Sequence, residues 1–196
     1  MVKIYAAIVA FMALGTASAN AQLMDALTAP VTLLERAVEA RSASDILKDN
    51  EIVVKVNAII AKVESIKAST EIYEQRLLIT GIFDNKADYD SFEAQVRKVP
   101  GVKKLYWQVL YIPKDDPSRK SLLGWDDVLE MTTKAKARLI GTKGVADVNF
   151  RLTADSKGTA YLLGRARSAE ESAKALARVK EDKAIRQVVD YVVVRP

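Results

Sequence analysis

Apolar positions recur along the chain in two similar series. Ile52, Val56, Ile59 and Val63 are spaced as the buried stripe of a helix, and two strand-like runs follow at residues 66–73 and 76–83. Tyr89, Phe92, Val96 and Val99 then share one face of a second helix, and residues 102–112 form a third strand-like run. The unit reads αββαβ. Displacing the chain by 83 residues brings Gly81 onto Gly164, Val96 onto Val179, Leu105 onto Val188 and Val109 onto Val192. In the second copy the pattern predicts a helix over 125–140, strands over 145–154 and 159–165, a helix opened by a Ser168–Glu171 capping box, and a last strand over 185–194.

This order predicts an α+β fold of two tandem αββαβ units, each a small three-stranded sheet with two helices on one face. The first spans residues 45–112 and the second 122–196. Residues 113–121, with two prolines and a run of charges, read as the linker. Gly81 and Gly164 end their second strands, where a positive φ or a close backbone approach makes them structural turn residues. The final strands carry apolar residues on both faces: Leu105, Trp107, Val109 and Tyr111 on one, Tyr106, Leu110 and Ile112 on the other, with Val189, Tyr191 and Val193 repeating the latter. Sheets covered on one side only should be polar on the other. The open faces are therefore expected to pack on each other, on a second subunit, or on residues 31–40, where Leu33, Leu34, Ala37 and Val38 form a helical stripe. Asp190 interrupts the alternation.

Residues 1–21 carry one cation at Lys3, an apolar run at 4–14 and small residues ending in Ala19-Asn20-Ala21, the pattern of a cleaved secretory signal. The apolar run is short of the ~20 residues that span a bilayer. Residues 22–44 are then a partly helical N-terminal segment. No cysteine is present to be acylated, so the expected product is a free periplasmic protein with no transmembrane segment in its mature chain.

Cysteine and histidine are both absent, which removes disulfides, thiol nucleophiles, common zinc and haem ligation and imidazole bases. Hydrophobic residues are 49% and charged residues 28% of the chain, ordinary soluble usage. Adjacent carboxylates at Asp115-Asp116 and Asp126-Asp127 are the remaining hydrolase candidates, and read more simply as linker solvation and helix N-terminal charge. No enzyme activity and no cofactor are expected. The net charge is +5, and residues 113–196 hold 17 basic against 12 acidic residues, so an anionic partner is expected in that half.

The segments 49–60, 77–83 and 99–112, and their counterparts 131–140, 162–164 and 184–194, resemble the BON domain family. The first copy matches more fully; the second has Ala184 where the family usually has glycine. The resemblance implies a noncatalytic envelope protein, periplasmic, associated with osmotic or envelope stress and with phospholipid binding. Residues 139–144 imitate the GxxG loop of KH domains, but they lead into a strand-like run rather than a helix, and nucleic acid is not an expected partner.

Leu122, Leu123 and Trp125, followed by Lys134, Arg138 and Lys143, set apolar side chains beside cations, as an interfacial contact with an anionic phospholipid surface requires. The competing reading places Trp125 in a buried stripe with Leu129, Thr132 and Leu139. The leading functional expectation is binding to anionic phospholipid membranes; the alternative is a protein-interaction module that pairs with another envelope protein through exposed sheet faces. Mature protein recovered from the cell envelope is expected to begin at Gln22 and carry no acyl mass, which intact-mass measurement checks.

Overall fold

The computed structural model describes residues 39–63 and 67–196, all within one compact body. The signal-peptide reading, the stripe of Leu33, Leu34, Ala37 and Val38, and the start of the first strand-like run at Ile66 lie outside the described residues.

The first unit consists of α1 (Ala43–Ile60), β1 (Lys67–Tyr73), β2 (Arg76–Phe83), α2 (Lys86–Val96) and β3 (Lys104–Tyr111). The second repeats it with α3 (Trp125–Leu139), β4 (Phe150–Ala154), β5 (Thr159–Ala166), α4 (Ala169–Lys180) and β6 (Gln187–Val194). In each sheet the middle strand pairs antiparallel with the strand before it and parallel with the one after, giving the orders β1-β2-β3 and β4-β5-β6. The parallel pairs need a crossover, which α2 and α4 supply.

The helices cover one face of each sheet. Ile52 and Val56 of α1 and Phe92 and Val96 of α2 pack on Leu77, Ile79, Phe83 and Val109. Val128, Met131, Ala135 and Leu139 of α3 pack with Ala175 and Val179 of α4 on Leu152 and Leu162. The other faces pack on each other. Tyr73, Leu78, Tyr161 and Leu163 form a third buried cluster, with Tyr106, Val189 and Tyr191 against it. The Tyr106 and Tyr191 rings stack at 3.9 Å.

Polar groups trapped in this seam are paired across it. Thr80 Oγ1 and Thr153 Oγ1 lie 2.9 Å apart. The Arg76 guanidinium donates to the Gly164 carbonyl at 2.8 Å and the Tyr191 carbonyl at 2.9 Å. Tyr73 donates to Asn149 Oδ1 at 3.1 Å, and burial pushes the Tyr73 hydroxyl pKa up to about 12. The chain before α1 fastens the same seam: Ala40 N–H donates to Asn149 Oδ1, and Ala40 O accepts from Arg165.

Several boundaries differ from the sequence reading. β4 begins at Phe150, because Val145 to Asn149 turn through a short 3-10 segment, Asp147–Asn149. That turn puts the Asn149 side chain, 1% exposed, where it can bond across the seam. Val63 and Val99 lie past the ends of α1 and α2 yet still pack on the first core. Ser168 caps α4 by accepting from Glu171 N–H, but the Glu171 carboxylate accepts from Arg167 and Ala146 N–H instead of closing the capping box. Residues 113–121 are folded: Arg119 donates to the carbonyls of Ile112 and Pro113, and Pro117–Ser121 forms a 3-10 turn. Asp190 lies on the free edge strand β6, where its carboxylate accepts from Val192 N–H at 2.8 Å, so a polar residue there blunts an open edge.

Gly81 and Gly164 are inside β2 and β5 and do not form the turns expected of them. Their need for glycine comes from close backbone approach: a Cβ at Gly81 would sit 2.7 Å from Lys67 O, and one at Gly164 2.2 Å from Asn149 O. Because the two sheets cover each other, damage to one unit also uncovers the other. Gly164→Val is expected to cost about 2–5 kcal/mol through backbone strain and overpacking. Denaturant melts followed by Trp107 alone and Trp125 alone, in Trp125→Phe and Trp107→Phe backgrounds, should shift together; a shift confined to Trp125 would contradict the shared seam.

Candidate functional site

The sequence-selected residues separate into three groups. Leu123 and Trp125 pack, partly buried, against the second core, and Leu122 is half-buried just before them. Leu123 N–H is tied to Ser156 O at 2.8 Å. The stripe of α3 is Val128, Met131, Ala135 and Leu139, so Leu129 faces out at 46% exposure instead of continuing from Trp125. Starting the stripe at Trp125 would have brought Lys136 into it, a conflict that was visible in the sequence.

Arg138 is half-buried. It donates to Asp182 Oδ2 at 2.6 Å, joining α3 to the loop after α4. The Asp182 carboxyl is held below its ordinary pKa by the Ala184 backbone N–H and by Arg138. Lys134 and Lys143 are exposed. Lys134 pairs with Glu130 one turn back, which raises its pKa. Lys143 makes no ion pair among the described residues. Gly141 and Gly144, at φ of 78° and 83°, carry the chain through the turn after α3. The imitation of a KH loop therefore ends in a turn and a strand.

Two further residues complete the surface. Ile140, next to the buried Leu139, is 50% exposed. Arg178 of α4 donates to Thr142 Oγ1 and pairs with Glu181. Lys134, Ala137, Arg138, Ile140, Gly141, Thr142 and Arg178 line an open depression of about 490 Å³. The sequence signal for Ile140 was its redundancy, since a helical stripe ending at Leu139 has no use for the next residue. Arg178 had no such signal, because only the packing of α4 on α3 brings it there.

This arrangement presents an aliphatic side chain among three cations on an open surface. One carboxylate of each candidate hydrolase pair has a structural partner: Asp116 accepts from Ser118 N–H, and Asp127 accepts from Gly124 N–H at the start of α3. Among the described residues no cluster of acidic side chains is arranged to hold a metal ion, and no helix is long and apolar enough to cross a membrane.

Comparison with known proteins bears on the second unit. CdsD, a structural protein of the type III secretion system of Chlamydia trachomatis, aligns at 12% identity over 74% of this chain and 93% of its own, with a TM-score of 0.33. A structure of the CdsD C-terminal domain aligns at 12% identity over 74% of this chain and 98% of its own, with a TM-score of 0.32. No curated protein matches. The family model of the BON domain matches residues 127–196, the copy with the less complete resemblance, while the first unit shares its strand order and pairing. The likeness to the BON domain family is thus carried by residues 127–196, the second unit.

Proposed function

We propose that the protein is a noncatalytic periplasmic envelope protein that binds anionic phospholipid surfaces through the depression at the C-terminal end of α3. The observation that carries this reading is the half-exposed Ile140 among Lys134, Arg138 and Arg178. Ile140 can enter the acyl boundary while Lys134 and Arg178 meet phosphate groups and the paired Arg138 holds the helix end in place.

The existing ion pairs are compatible with such exchange. The Lys134–Glu130 pair is solvent-exposed and screened, so a lipid phosphate can replace the carboxylate at small cost. Arg138 is different, because its partly buried bond to Asp182 holds α3 in place. The lipid-contact set is therefore Lys134, Lys143, Arg178 and Ile140, with Leu123 and Trp125 serving the second core. Pairing with another envelope protein through exposed sheet faces is not retained, since those faces cover one another.

Cosedimentation with phosphatidylglycerol and phosphatidylcholine vesicles tests this. Binding is expected with the former only and should weaken as salt rises, because screening shortens the range of the attraction. Lys134→Glu with Lys143→Glu should reduce affinity about tenfold or more, and Ile140→Asp should do so without lowering the melting temperature. Trp125→Phe should leave binding unchanged. Equal binding to both vesicles, or indifference to the charge reversals, would sink the proposal.

A further inference from the structure

A second basic cleft opens where the start of β3 meets the end of β6. Asp45, Glu74, Arg76, Lys103 and Lys104 of the first unit and Val193 and Arg195 of the second enclose about 330 Å³. We infer that this cleft between the units is a binding site for a phosphate group, using Lys103, Lys104 and Arg195 as its donors.

Charge imbalance is the first argument. Glu74 is shared by Arg76 at 3.9 Å, Arg165 at 3.7 Å and Arg195, so one carboxylate answers three guanidinium groups. Asp45 accepts from Ser42, which together with the charge of Lys103 holds its pKa below the ordinary value; with Glu74 it stands against four lining cations, Arg76, Lys103, Lys104 and Arg195. Lys103 and Lys104 make no ion pair among the described residues; Lys104 lies over the Tyr106 ring at 4.9 Å. The cleft thus carries surplus positive charge that its own acids do not balance.

The second argument comes from buried polar atoms and backbone shape. Arg76 is 8% exposed, and its Nε has no hydrogen-bond partner although both terminal nitrogens do. Such a group retains attraction for a nearby anion, because charge is poorly screened where water is excluded. Glu74 and Gln75 also hold left-handed conformations, φ 53° and 61°, where the matching turn of the second unit has Gly158 at the Gln75 position. The Asp49 carboxylate fixes that turn by accepting from both backbone N–H groups. This two-residue turn closes the Tyr73–Arg76 hairpin and sets Glu74 at the edge of the cleft.

A phosphate suits the cleft better than a carboxylate, since its oxygens can accept from several cations that approach from different strands. A ligand seated there touches both units and should stabilise the whole fold. The site shares no residue with the α3 depression, so either can fail alone.

The test is thermal melting in low-millimolar inorganic phosphate against sodium chloride at equal ionic strength. A saturable rise of about 3–6 °C is expected at ten times the dissociation constant for a protein of this size. Lys103→Gln with Lys104→Gln should abolish that rise while leaving the melting temperature in chloride unchanged; Lys134→Glu with Lys143→Glu should retain it. General salting-out by phosphate would not saturate and would survive in the first variant. Phosphatidylglycerol vesicles then identify the source in the Lys134→Glu, Lys143→Glu background, where the α3 depression is disabled: residual binding that Lys103→Gln with Lys104→Gln removes assigns the phosphate to a lipid headgroup, and no residual binding assigns it to a free anion. No rise over chloride, or a rise that persists in that variant, overturns the inference.

Discussion

Each three-stranded sheet has helices on one side only, and its other face is too apolar to be left in water. The two units meet this constraint by covering each other. Tyr73, Leu78, Tyr161 and Leu163 become fully or almost fully buried, each aliphatic side chain contributing about 1.5–3 kcal/mol for removal from water. Burial also encloses Arg76, Thr80 and Thr153, whose polar groups would be costly without partners. The Thr80–Thr153 bond and the two Arg76 bonds to carbonyls of the second unit meet most of that demand. They also fix the register, because a displaced sheet would leave those groups unpaired.

The same seam determines which surfaces remain. With both sheet faces covered, the outward surface consists mainly of helices, strand edges and turns. The arginines near the seam are held as a network: Arg41 pairs with Glu39 and Asp49, Arg151 with Glu39, and Arg165 and Arg195 with Glu74. Arg41, Arg76 and Arg151 also stand 4.7–5.9 Å from the centre of the Tyr73 ring. Aromatic faces accept cations in this way, which lets charged side chains border an apolar contact. Surplus cations are left at the α3 end and at the β3–β6 cleft.

The net positive charge of residues 113–196 is therefore less available than its count suggests. Lys134, Lys136, Arg138, Lys174 and Arg178 all have carboxylate partners. What distinguishes one cation from another is burial of the pair. An exposed helical pair exchanges readily with a lipid phosphate, whereas breaking a partly buried pair strands a charge. This difference separates Lys134 from Arg138, although the sequence presents them as neighbours on one helix.

The order of elements, the two-fold repetition, the glycine positions and the BON resemblance were legible in the sequence, because apolar period and backbone demands are local properties. Val145 and Val148 misled as a strand because apolar residues in a turn and in a strand look alike until the backbone is fixed. Apolar residues on both faces of the last strands required a covering partner without naming it, since surface demand is local while its satisfaction is not. Only the tertiary structure chose the opposite sheet, turned Leu123 and Trp125 toward the second core, exposed Ile140 and brought Arg178 beside Lys134. Those outcomes depend on the packing of residues distant in the chain, and their physical cause is competition for burial among all apolar surfaces at once.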